Sequence, residues 1–166
     1  MRKLALALHL AVSVGWIGAI AAYISLDVTA STANDVGLLR AAYLGMDAIV
    51  RYTIVPLAVA TLLTGLVVSL GTKWGLFRHW WVLISLLLTI FATAVLLAET
   101  RTISSFAELA ADADSSGDYL RARGGTLLHS VGGVAVLLAI LVLNVFKPRG
   151  LTPYGWRKQQ QEKRAL

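Results

Sequence analysis

From Leu4 to Leu26 the chain contains no charged side chain. About 20 apolar residues cross the hydrocarbon layer of a bilayer as an α-helix, so this stretch predicts a membrane span. The composition agrees, because 57% of the 166 residues are hydrophobic and only 14% are charged, whereas about 25% are charged in a typical soluble domain. The apolar core of a secretory signal peptide is only about 7–15 residues long. We therefore expect this span to be retained.

The first span has two different faces when its residues are placed 100° apart around a helix. One face carries nearly all of its polar atoms and consists of His9, Ser13, Trp16, Ile20, Tyr23 and Asp27. The other is a groove of small residues: Ala11, Gly15, Gly18 and Ala22. Small residues let helix backbones approach closely in lipid. We expect the rest of the chain to pack around this helix, and the groove to be a packing contact through which the chain forms a homo-oligomer.

Three further apolar stretches complete an all-α, four-transmembrane-helix bundle, and the predicted spans are residues 4–26, 52–70, 80–98 and 126–146. Asp35 is a suitable N-cap for a helix that begins near Val36 and continues into the second span, where Pro56 predicts a kink. A short separate helix is expected from Thr102 to Ala111, on the same side as this extension. Residues 1–146 then form the transmembrane domain and residues 147–166 a basic tail.

The distribution of charge predicts the orientation. With four spans, the side that holds both termini carries ten Lys and Arg residues and one acidic residue, and the other side carries five Arg and eight acidic residues. Positively charged loops stay in the cytoplasm, so both termini are predicted to be cytoplasmic. The cysteine-free, Ala- and Gly-rich composition favours a bacterial inner membrane. The basic tail is expected to contact anionic lipid headgroups, and nucleic acid is not an expected partner.

Three motifs carry a resemblance to known proteins. They are Leu63-Thr64-Gly65-Leu66, the stretch SLGTKWGLFRHWWVLI from Ser69 to Ile84, and the stretch FKPRGLTPYGWRK from Phe146 to Lys158. Together they resemble a family of small, uncharacterised four-span bacterial membrane proteins, which is distantly similar to the copper-resistance D family. The resemblance implies the fold and the membrane location. It brings no established activity, but some distant relatives bind haem b or copper through membrane histidines.

His9, His79 and His129 are therefore candidate haem or metal ligands. Their predicted depths are the inner leaflet, the inner interface and the outer leaflet, and His9 and His129 differ by roughly 15 Å at 1.5 Å per residue. Two axial ligands of one haem need similar depths. Glu99 could join His129 on zinc or copper, but two ligands make a weak site. We favour packed, hydrogen-bonded histidines, predict no cofactor, and keep haem b as the alternative.

Glycines surround His129 in the sequence. Gly125, Gly132 and Gly133 lie near it along the predicted fourth span. Two interpretations fit this pattern: close helix packing around a satisfied polar pair, or a small pocket open to the outer leaflet. The sequence favours packing.

A set of charged residues is predicted near the outer interface: Asp27, Arg40, Asp47, Arg51 and Arg101. Such residues usually form ion pairs of little energetic consequence, and the alternative is a carboxylate or phosphate site at Arg51 and Arg101. The sequence has no Gly-rich phosphate loop, nucleophile elbow or HExxH motif. We therefore expect a non-enzymatic accessory or small-ligand-binding membrane component. The alternatives are a haem- or metal-binding redox protein and a subunit of a small transporter.

The orientation can be tested with single cysteines, because the chain has none of its own. Cysteines introduced at Asn34 and Ser116 should react with an impermeant maleimide in intact cells. A cysteine at Gln160 should react only after permeabilisation. The opposite labelling pattern would contradict the predicted orientation.

Overall fold

The computed structural model describes residues 2–72, 75–112, 115–123 and 126–164, and these residues form seven α-helices and one π-helical segment. The elements are α1 (Arg2–Thr32), α2 (Val36–Ile49), the π segment (Val50–Ile54), α3 (Val55–Leu70), α4 (Trp80–Ala111), α5 (Gly117–Arg123), α6 (Leu127–Phe146) and α7 (Pro153–Arg164). Four stretches are long and apolar enough to cross a membrane: Lys3–Thr32, Val36–Leu70, Trp80–Ala111 and Leu127–Phe146. The chain thus has the helices of a multi-pass membrane protein.

The polar face of α1 is buried, as its spacing predicted. Trp16, Ile20, Tyr23 and Asp27 all lie in the interior. The helix is longer than the predicted span, because the hydroxyl-bearing residues at its end do not form a turn. Ser31 Oγ donates to the carbonyl of Asp27, and the hydroxyls of Ser25, Thr29 and Thr32 likewise bond four residues back. Side chains that bond in this way are accommodated inside a helix.

A single helical stretch contains α2, the π segment and α3. Asp35 caps it as predicted, since a side-chain oxygen accepts a bond of 2.7 Å from the amide of Leu38. A π segment at Val50–Ile54 ends two residues before Pro56, and the kink predicted at the proline stays a prediction. Proline has no amide hydrogen with which to continue the α-helical pattern, so a local change of helix type is expected just ahead of it.

The helix that contains the predicted third span does not end at Ala98. Helix α4 continues without interruption from Trp80 to Ala111, so the prediction of a separate helix from Thr102 is wrong. No Gly or Pro lies within this range, and the polar residues from Glu99 onward mark the end of the apolar stretch rather than the end of the helix. The Thr100 hydroxyl bonds to the carbonyl of Leu96, inside the helix.

Neighbouring long helices run antiparallel. On α1, His9 meets Thr64 of α3 near one end and Leu26 meets Gly45 of α2 near the other. On α4, Ser85 meets Asn144 of α6, and further along Glu99 meets His129. The first residues of α1 and α4 therefore lie at the same end of the molecule as the last residues of α3 and α6. The most completely buried side chains lie towards the opposite end: Leu39, Met46, Val50, Ile54 and Leu120.

The segment after α6 is not simply a polar tail. Lys147 adopts a left-handed conformation that ends α6 where the predicted fourth span ends, but helix α7 was not predicted. Thr152 caps α7 by accepting a bond of 3.0 Å from the amide of Gly155, and Pro153 occupies the first helical position. Threonine followed by proline is a known signal for a helix start.

Backbone bonds hold this segment against the start of α4, in an arrangement that we call the tail clasp (residues 77–80 with 150–155). The amide of Trp80 donates to Gly150, and the amide of Thr152 donates to Arg78. The Thr152 hydroxyl bonds to the carbonyl of Phe77, and an ion pair of 3.0 Å joins Arg78 to Glu162. The tail clasp brings together two of the three motifs that carry the sequence resemblance.

Because Gly155 has no side chain, α7 can lie directly against the backbone of Arg78 in the tail clasp. A Cβ atom at this position would lie 2.2 Å from the carbonyl oxygen of Arg78, so Gly155→Ala should undock α7, although alanine favours helix more than glycine does. We expect trypsin to cleave the purified variant at Arg157 and Lys158 several-fold faster than wild type, as followed by mass spectrometry. Gly150→Ala is the matched control, because its Cβ would lie 3.7 Å from the Trp80 ring. Equal cleavage rates in all three proteins would contradict the prediction.

Candidate functional site

A cavity of about 590 Å³ lies between α1, the π segment, α4 and α6. Its lining runs from Phe91 to Ile103 on α4 and from Thr126 to Leu137 on α6, a length of about 15–20 Å at the helical rise per residue. The lining is mostly apolar and includes Trp16, Ile20, Val50, Ile54, Val95, Leu96 and Val136. The cavity therefore occupies the half of the molecule that lies away from the termini.

The cavity opens between α4 and α6. Phe91, Leu128 and His129 line it and are also exposed on the surface of the molecule. Gly132 and Gly133 form part of its wall, and an added Cβ at either would meet nothing within 4 Å. This corrects the favoured prediction of close packing there, because the missing side chains leave space within the chain instead of a helix contact. Gly125, also predicted beside His129, lies outside the described residues.

A buried polar network forms one end of the cavity. Asp27 is 3% exposed, and one of its carboxylate oxygens accepts a bond of 2.7 Å from the Thr126 hydroxyl and a longer one of 3.4 Å from Ser130. Tyr23 donates to the Thr126 hydroxyl over 3.0 Å. Tyr23, Thr126 and Ser130 all line the cavity. The network therefore joins the last turns of α1 to the first turn of α6.

His129 and Glu99 stand at the mouth. The imidazole Nε2 and a Glu99 carboxylate oxygen are 3.8 Å apart, and the two side chains are 56% and 28% exposed. The prediction that His129 is buried and hydrogen-bonded to a neighbouring helix is therefore wrong, since α6 carries it to the open side of the cavity. Within the described ranges, no group of three or more His, Asp or Glu residues is placed to hold a metal ion.

The other two histidines lie elsewhere. His9 packs between helices as predicted: its Nδ1 is 3.0 Å from the Thr64 hydroxyl, and a Cβ on Gly65 would lie 3.1 Å from its ring. Since the Thr64 hydroxyl donates to the carbonyl of Ala60 over 2.6 Å, it accepts from His9. His79 belongs to the tail clasp, where its backbone forms an isolated antiparallel β-bridge with Leu151. The three histidines thus occupy three separate surroundings, and an absorption spectrum of the purified protein is the direct test of the haem alternative.

The charged residues predicted near the outer interface do not form one cluster. Asp47 and Arg51 form an ion pair of 2.8 Å on the surface between α2 and α4, and Ser104 bonds to both. Arg51 is thus engaged within the chain and is a poor anchor for the anion site considered with Arg101, which is exposed. Arg40 donates to the carbonyl of Ser115, and Asp27 lies in the interior. Asp27, Arg40 and the Asp47–Arg51 pair thus make separate contacts within the chain.

The small-residue groove on α1 makes little contact within the chain. Ala11, Gly18 and Ala22 are exposed, and a Cβ on Gly18 would meet nothing within 4 Å. A Cβ added at Gly15 would lie 3.6 Å from the Leu57 side chain of α3, an ordinary contact distance. Contact with a second copy of the chain through this groove stays a prediction.

Sequence reasoning named several residues of the cavity but did not assemble them. The spacing places Asp27 on the same face of the first span as Trp16 and Tyr23, and the charge pattern places it also in the outer charged set. The signal that could have joined them is the chemistry of Asp27: a carboxylate on a buried helix face needs hydrogen-bond donors from another helix, and the first hydroxyls of the fourth span, Thr126 and Ser130, lie at the same predicted depth.

Comparison of the chain with protein-family models, with curated proteins and with solved structures finds no match. The resemblance to the copper-resistance D family therefore stays a prediction, and the function must be argued from the cavity itself.

The hydrogen-bond network predicts a stability effect. In Thr126→Val, Asp27 loses its shorter donor and Tyr23 loses its acceptor, and leaving buried polar groups without partners costs about 1–3 kcal/mol. The free energy of unfolding in mixed detergent micelles should fall by this amount. Thr102→Val, at an exposed position on α4, is the matched control and should change little. Equal effects of the two substitutions would contradict the role assigned to the network.

Proposed function

We propose that the chain is a non-enzymatic, multi-pass protein of the bacterial inner membrane that binds an amphiphilic small molecule or lipid in the cavity between α1, α4 and α6. Its helices form a four-span bundle with both termini in the cytoplasm, and the basic residues after α6 contact anionic lipid headgroups. The cavity then lies in the outer leaflet, where its mouth faces the lipid between α4 and α6.

The observation that carries this proposal is the cavity itself. Small-molecule sites are concave, mostly apolar spaces of about 300–1,000 Å³ with a few polar groups that orient the ligand, and the cavity of about 590 Å³ falls inside that range. Its apolar length suits a hydrocarbon chain. Its polar groups are confined to one end, around Tyr23, Thr126 and Ser130, with Glu99 and His129 at the mouth. A molecule with an apolar tail and a polar head matches this division.

The two glycines of α6 support the same proposal. Gly132 and Gly133 lie side by side in a helix, where glycine costs up to about 1 kcal/mol relative to alanine. No close helix contact within the chain offsets this cost, because an added Cβ at either position would meet only open space. Keeping that space open for a ligand accounts for both residues.

Filling the cavity tests the proposal. The probe is dodecanol with a photoactivatable diazirine in its chain, crosslinked to the protein in liposomes and mapped by mass spectrometry. In the wild type we expect crosslinks on α4 and α6 within the cavity, and an excess of plain dodecanol should suppress them. Gly133→Leu should fill the space beside the probe and reduce labelling at least several-fold.

Ala135→Leu is the matched control, since it adds a leucine at an exposed position two residues along the same helix. Its labelling should equal that of the wild type. Labelling that is spread along all lipid-facing surfaces, and that plain dodecanol does not suppress, would overturn the proposal.

A further inference from the structure

The directions of the hydrogen bonds at the polar end of the cavity follow from Asp27. A carboxylate only accepts hydrogen bonds, so the Thr126 hydroxyl at 2.7 Å must donate its one hydrogen to it. Thr126 has no second hydrogen to donate to Tyr23. The Tyr23 hydroxyl, 3.0 Å away, therefore donates its hydrogen to the Thr126 oxygen. Each hydroxyl hydrogen in this chain of bonds therefore points towards Asp27 and away from the cavity.

Ser130 follows the same pattern. Its hydroxyl is 3.0 Å from the carbonyl oxygen of Leu127 and 3.4 Å from the Asp27 carboxylate, and both of these groups only accept. What Tyr23 and Ser130 have left for a ligand is lone pairs. The Glu99 carboxylate at the mouth likewise only accepts. The polar end of the cavity thus consists mainly of acceptors.

The charged groups at and behind the polar end of the cavity are carboxylates. Among the described lining residues, Glu99 is the acidic one and none is Lys or Arg, and Asp27 lies directly behind Thr126. Two of the described lining residues, His129 and Trp16, have ring nitrogens that can donate a hydrogen bond. His129 stands beside Glu99 at the mouth, and Trp16 lies seven residues before Tyr23 on α1, about 10 Å deeper along the helix. A ligand head group at the polar end of the cavity therefore faces hydrogen-bond acceptors and negatively charged carboxylates.

We infer that the cavity selects amphiphiles whose head group is a hydrogen-bond-donating cation, namely long-chain amines. An ammonium group has three donors and no acceptor, which complements Glu99, Tyr23 and Ser130. An anionic head group would face the Glu99 carboxylate with no Lys or Arg among the described lining residues to pair with it, and like charges brought together in this way are a common means of rejecting a ligand. This inference rests on the proposed function and names the ligand class for the same cavity.

Competition in the photolabelling assay tests the inference. Dodecylamine, dodecanol and dodecanoate compete with the photoactivatable dodecanol for the wild-type protein and for Glu99→Gln. In the wild type we expect dodecylamine to compete at a concentration about tenfold lower than dodecanol, the size of effect expected for a hydrogen bond to a charged group, and dodecanoate to compete worst. In Glu99→Gln the preference of dodecylamine over dodecanol should shrink several-fold.

The comparison between the two proteins removes the effect of partitioning into the liposome, because each competitor enters the same lipid in both experiments. Glu99→Gln preserves the shape of the side chain, and its own labelling by the photoactivatable dodecanol shows whether the cavity has formed. If the cavity labels and dodecylamine shows no Glu99-dependent advantage, or if dodecanoate competes best, the inference on the head group is wrong and the proposed function stands. If the wild-type cavity does not label at all, the proposed function itself fails.

Discussion

A carboxylate enclosed by apolar helices has to be satisfied inside the protein, because lipid offers it no hydrogen-bond donor. Asp27 is the one charged side chain that is buried among the described residues, and it finds its donors on α6. This contact fixes which end of α1 meets which end of α6. It also places Tyr23 and Thr126 at the boundary of the cavity, so the polar end of the site follows from the needs of a single carboxylate.

The cavity is the consequence of helices that meet at separated levels. Helices α4 and α6 touch where Asn144 reaches Ser85 and again where His129 approaches Glu99. Between these levels α6 presents Gly132 and Gly133, which have no side chains to fill the gap. The space is therefore lined by apolar side chains along most of its length and has its polar groups at one end, as a site for an amphiphile requires.

Features that depend on local sequence were predictable. The buried positions on α1, the cap at Asp35 and the end of α6 near Lys147 follow from spacing, from capping chemistry and from the proline after Lys147. The continuity of α4 was missed because polarity was taken for a helix end, although helix ends need caps or helix-breaking residues. A pocket beside His129 is only the second of the two interpretations that the glycines allow, because a cavity is made by side chains that are absent, on helices far apart in sequence. The hydrogen-bond donors of Asp27 can be inferred from its chemistry. The size of the cavity beside those donors cannot be inferred in that way.

The tail clasp ties the chain's final helix to a carbonyl 74 positions earlier, that of Arg78. During synthesis, Phe77 and Arg78 are added to the chain well before Thr152. The clasp can close only after α6 has been made and Gly155 has followed it. Its closure therefore requires both α6 and the residues that follow it, so that a chain stopped short of Thr152 lacks the clasp, at a place remote from the cavity.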